Sequence, residues 1–306
     1  MSDRGPEGGD GAQSAADAAA REAQASLERI EQGGIPLAAE RRLRELSEGA
    51  GSFTSDLSVA DFALCRQVGL RPLAQVMGSS IYQIGYQAAP WPSTFGGGFM
   101  FELQTLSDAW NEVRGRAIER LSQEATLLGA DAVIGVDLRT GEHDWAENSI
   151  EYVILGTAVH REGTPHSATP VLSELSVADY AKLARAGIEP LGIVAWSSAF
   201  FVRAAYATQM FGGSGFMQNQ ELGEFTQGVY AARESVMGRM TEQAARLHAS
   251  GVIGARIRHG ISRVSVGGGR FEQGGLMVTF HAIGTAVREG AVVVDVTPKT
   301  TIDLTL

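Results

Sequence analysis

The feature that most constrains this chain is that it repeats itself. LSVADFALCRQVGLRPLAQV (57–76) aligns without a gap with LSVADYAKLARAGIEPLGIV (175–194), identical at 10 of 20 positions, where chance would leave about one or two. The register then carries Ser79-Ser80 onto Ser197-Ser198, LLGADAVIGVDLR (127–139) onto RLHASGVIGARIR (246–258), and ILGTAVH (154–160) onto AIGTAVR (282–288). The expected organisation is two copies of one domain, 53–162 and 171–290, joined by a linker over 163–170.

Two drafts of one fold can be read against each other. Ser58 with Asp61, and Ser176 with Asp179, have the spacing of a capped helix start, and Gly69 and Gly187 end that helix. Pro72 and Pro190 lead into a short strand, LAQVMG or LGIVAW, with the serine pairs at its end. Leu103, Leu106, Trp110, Val113, Ala117, Leu121, Ala125 and Leu128 then recur at helical spacing, and Leu222, Phe225, Val229, Ala232, Val236, Met240, Ala244 and Leu247 repeat them. Two strands follow in each copy as an antiparallel hairpin, with a longer loop around Gly267-Gly268-Gly269 in the second. The fold class is α+β: in each copy a small antiparallel or mixed sheet covered by one long helix.

Outside the copies, residues 1–52 are rich in Ala, Glu and Arg and poor in large apolar residues. Helices over 13–32 and 36–48 are expected, as a solvated arm or as a docking helix for a partner or for the body of the protein. The β-rich tail 291–306 reads as an added strand covering a sheet edge. A net charge of −10 argues against nucleic-acid binding. One cysteine excludes an intrachain disulfide framework and fits a reducing cytoplasm. No apolar run is long enough to span a membrane, and the acidic, Gly-rich start is unlike a signal peptide.

LGADAVIGVDL (128–138), with the closing strand IEYVILGTAV (150–159), resembles the YbjQ-like family of small bacterial proteins, labelled "putative heavy-metal-binding domain". The second copy keeps VIG at 252–254 and GTAV at 284–287 but has His248-Ala249-Ser250 where the first has Gly129-Ala130-Asp131. The resemblance implies a small α+β unit that closes pentameric rings by strand pairing between subunits. It carries no ligand motif that transfers residue by residue.

Candidate chemistry is sparse. None of the six histidines has zinc-finger or metalloprotease spacing, and none is shared by the copies: His248 aligns with Gly129, His281 with Val153, His160 with Arg288. No metal or other cofactor is therefore expected. A site in one copy only would have to draw on His143, Asp144, His160 and His166, which read better as residues of exposed loops. Cys65 aligns with Leu183 and reads as a buried small hydrophobe. The serine pairs share no histidine, so a catalytic triad is not expected. Gly96-Gly97-Gly98 and Gly212-Gly213-Ser214-Gly215 lack the Lys-Ser/Thr of a phosphate loop. Arg114, Arg120 and Arg139, matched by Arg233, Arg239 and Arg258, read as ion-pairing residues.

The expected function is a non-enzymatic, ring-forming scaffold or binding protein. A metal-sequestering protein is the alternative, and an enzyme with a cleft between the copies the third. The self-partner expected is a homopentamer of two stacked five-domain rings, each copy pairing with its own kind, with the linker as a strut between rings.

Overall fold

The computed structural model describes residues 9–84, 99–142, 149–163, 165–203, 221–266 and 273–290. In chain order these form α1 (Gly9–Glu31), α2 (Leu37–Ser47), α3 (Val59–Gln67), β1 (Leu70–Gln83), β2 (Phe99–Glu102), α4 (Gln104–Leu127), β3 (Ala132–Glu142), β4 (Ser149–Arg161), β5 (Val171–Leu172), α5 (Val177–Arg185), β6 (Ile188–Arg203), α6 (Gly223–Arg246), β7 (Gly251–Val266) and β8 (Gln273–Glu289). The architecture is α+β, with two four-stranded sheets ordered β1-β4-β3-β5 and β2-β6-β8-β7.

The local elements follow the sequence periodicity. α4 buries Leu106, Trp110, Val113, Ala117, Leu121 and Ala125, and α6 buries Ala232, Val236, Met240 and Ala244. Ser58 and Ser176 cap α3 and α5 by accepting the amides of Asp61 and Asp179. Cys65 is buried as expected, and burial pushes its thiol up to about 11, out of reach of thiolate chemistry. The first strand of each copy is longer than expected, so Ser79-Ser80 and Ser197-Ser198 lie mid-strand rather than at its end. At Gly78 a Cβ would stand 1.8 Å from the carbonyl oxygen of Ala117, so α4 approaches β1 at a distance only glycine allows.

The copies do not keep their sheets to themselves. β2, from the first copy, pairs with β6 of the second, Phe99 opposite Arg203. β5, which opens the second copy, runs parallel to β3 of the first, Ala132 opposite Val171. This corrects the expectation that each copy pairs with its own kind in a separate ring. The physical reason is the short linker, which the Asp131 carboxylate pins by accepting the Ser167 amide at 2.9 Å. Residues 171–172 are thereby delivered to the nearest open edge, which belongs to the sister copy.

The amino-terminal arm is also not a solvated appendage over its second half. Ile35 and Leu43 are buried in the main core beside α4. Arg120 of α4 donates its Nε to Gly34 O at 3.1 Å and another guanidinium nitrogen to Ile30 O at 2.8 Å, and Gln123 donates to Gly33 O at 3.2 Å. A cation thus meets Ile30 O at the end of α1 and Gly34 O just beyond it, where the helix dipole is negative. Arg120 serves backbone carbonyls rather than the expected ion pair, and its match Arg239 instead pairs with Glu242 and lies over the Trp196 ring. Among the described residues no helix is long and apolar enough to cross a membrane. The tail 291–306, His143-Asp144 and both glycine runs lie outside the described residues.

Candidate functional site

The strand exchange places α4 of the first copy along the open edge of β6 in the second. That edge would otherwise leave backbone groups unpaired, and side chains from one face of α4 take them up. Ser107 accepts the Ala199 amide at 3.0 Å, Asn111 accepts the Ser197 amide and donates to its carbonyl, each at 2.9 Å, and Arg114 donates to Ala195 O at 2.9 Å. Val177 and Tyr180 of α5 complete the junction by packing with Cys65, Ala132, Ile134 and Val159.

A cavity of about 70 Å³ lies within this junction; Leu138, Ala282 and Ile283 give it largely apolar walls, and its polar groups come from Arg114, Thr140 and Tyr152 of the first copy and Ser197, Arg256, Arg258 and His281 of the second. Arg114 is buried and donates to Ser197 Oγ at 2.6 Å, to Asn111 Oδ1 and to Ala195 O. Among the described residues Arg114 forms no ion pair: its hydrogen-bond partners are neutral, and burial pushes the guanidinium down to about 10. His281 Nδ1 lies 2.9 Å from Ser197 Oγ, a serine–histidine contact that the alignment concealed because Val153 occupies the matching position. It is a poor catalytic pair. Burial, then Arg114 and Arg258, push His281 down to about 4, Ser197 is almost wholly enclosed, and no carboxylate orients the ring among the described residues.

A second cluster forms where the linker meets the first copy. Asp131 Oδ2 lies 2.6 Å from His160 Nδ1, Oδ1 lies 3.4 Å from His166 Nδ1, and the two imidazoles stack with centroids 4.4 Å apart. Their ligand atoms all fall within 4.8 Å of one another. One carboxylate and two imidazoles suit zinc, copper(II) or nickel(II) better than calcium or magnesium. The structure therefore unites two of the histidines considered from sequence, around an aspartate that was not. Burial works against the Asp131 charge, but the Arg161 and Ser167 amides and the His160 ring outweigh it and hold the carboxyl below its ordinary range. In the second copy Ser250 stands in for Asp131 and accepts the Glu289 amide at 2.9 Å. The residue is a strand fastener in both copies and a ligand candidate in one.

A family described as "Putative heavy-metal-binding", the YbjQ family, matches residues 91–162. The encapsulin nanocompartment protein Rv1762c of Mycobacterium tuberculosis is 33% identical over 276 residues, 86% of this chain and 95% of that protein. A UPF0145 protein of Methanococcus vannielii is 38% identical over 101 residues, 32% of this chain and 87% of that protein. A UPF0145 protein of Pseudothermotoga lettingae is 30% identical over 92 residues, 29% of this chain and 82% of that protein. No solved structure matches the chain.

Proposed function

The chain belongs to the YbjQ-like family, alongside the UPF0145 proteins and the nanocompartment protein of M. tuberculosis, and from that premise we propose that it is a non-enzymatic building block of a closed protein assembly. The observation that carries this reading is a mismatch in exposure between duplicated positions. Val177 is 1% exposed and its match Val59 89%; Ala199 is 0% and Ile81 49%; Leu103 is 5% and Leu222 45%. In each pair the buried member lies at the junction between copies. The exposed member lies on one of two complementary faces: Val59 and Ile81 on the first copy, Leu222 on the second. A face of this kind on one chain fits the other face on the next, head to tail, as the first copy already fits the second. Such contacts close into rings when the rotation allows, and here any ring holds an even number of domains.

Native mass spectrometry of the full chain tests the proposal: species larger than dimers are expected, and Val59→Asp should dissociate them without altering the circular dichroism of the chain. A monomer at micromolar concentration, or assembly indifferent to Val59→Asp, would refute it. The Asp131–His160–His166 cluster supports a second reading, in which the assembly also holds a divalent transition metal. Calorimetric titration with zinc should then give one site per chain, abolished by His160→Ala with His166→Ala. Absence of a saturable zinc site in the wild-type chain removes that reading.

A further inference from the structure

The junction cavity has a charge that nothing described balances. Arg114 is 4% exposed and bonded only to neutral groups. A buried cation without a counter-charge costs several kcal/mol. Arg258 reaches the same cavity and has no acidic partner among the described residues, while Arg256 pairs with Glu174 of its own copy at 3.0 Å and with Asp137 of the first at 3.7 Å. No carboxylate lines the cavity among the described residues. Tyr152 and Ser197 supply neutral hydroxyls, and His281, neutral at pH 7, can donate or accept. We propose that this cavity binds a small inorganic oxyanion of the phosphate class, held between Arg114 of the first copy and Arg258 of the second. The volume, about 70 Å³, is several times the ~10–15 Å³ that a single water needs, which leaves room for a small oxyanion. The matching positions at the chain's outer faces would bring Arg233 and Arg139 together with Asp137 where this cavity has Arg256. The site is therefore particular to the junction inside the chain, and bound anion would fasten the two copies to each other.

The test uses the full chain and inorganic phosphate. Phosphate should raise the melting temperature beyond sodium chloride of equal ionic strength, and calorimetry should show one site per chain. Arg258→Gln, on an exposed side chain with no acidic partner, should leave the phosphate-free melt unchanged and weaken phosphate binding by about tenfold or more, the loss of one charge-assisted contact. The Val59→Asp chain should bind phosphate as wild type does, which separates this site from the assembly. Equal melting shifts in phosphate and chloride, or undiminished binding in Arg258→Gln, would overturn the proposal.

Discussion

Leu43→Ala tests the docking of the arm. Leu43 is fully buried on α2, with Ile35 beside it, in the core that α4 shares. Truncating such a leucine removes transfer free energy and leaves a cavity, together about 3 kcal/mol where the surroundings relax little. The helix is held besides by the Arg120 and Gln123 contacts to carbonyls 30–34 and by Arg42 near Glu124 at 3.6 Å. The loss should therefore appear first as local opening of α2, not as global unfolding. About 3 kcal/mol corresponds to a more than hundredfold rise in that opening, so amide exchange over 37–47, followed by mass spectrometry, should accelerate by that order. Leu27→Ala, on a residue 55% exposed, is the control and should leave exchange nearly unchanged. If the two variants exchanged alike, the arm would not be docked through Leu43 and the argument would fail. Proteolysis tests the same point: cleavage should stop short of residue 30 in the wild type and reach α2 in Leu43→Ala.

Glu174 is pushed up to about 7 by burial, against the pull of Arg256, and its Oε1 has no hydrogen-bond partner among the described residues. Between the ordinary glutamate value near 4.5 and 7 the folded state holds more protons than the unfolded one, so this group makes stability fall as pH rises through that window. Glu174→Gln should flatten that slope in chemical melts at pH 4.5 to 8 and leave the variant more stable than wild type at the upper end. Gly78→Ala should cost about 3 kcal/mol or more by forcing α4 off β1, read as a lowered melting temperature. His248 ends α6 at φ +56° where Gly129 ends α4 at +66°. His248→Gly should therefore stabilise the chain by about 1 kcal/mol in denaturant titrations.

The long helices and their caps were legible because their signals are local and stated twice, in residues such as Val113 and Ala232 or Ser58 and Ser176. The exchange of strands was not. Val171-Leu172 is too short a run to announce a strand, and nothing near it in sequence says which edge it meets. The docking of the arm was half legible: a docking helix was one of two readings, but few of its side chains are apolar and much of the contact is made by Arg120 to main-chain oxygens, which no pattern announces. The junction cavity escaped for a related reason. Arg114 and Arg233 look alike in alignment, yet one is enclosed among neutral partners and the other pairs with Glu234 at the surface. The serine–histidine contact and the histidine pair at Asp131 each occur in one copy only, where comparing the copies hides them.

The eight-residue linker between the copies also bears on how fast an assembly can form. A tether that short holds the two halves of a junction at an effective concentration of roughly millimolar, so alternate contacts of a closed array need no diffusional encounter. An array of domains joined in pairs then grows by half as many bimolecular steps as one built from single domains, and its nucleation depends less steeply on dilution. Breaking the polypeptide within the linker would preserve every contact seen here while restoring the full order of that concentration dependence.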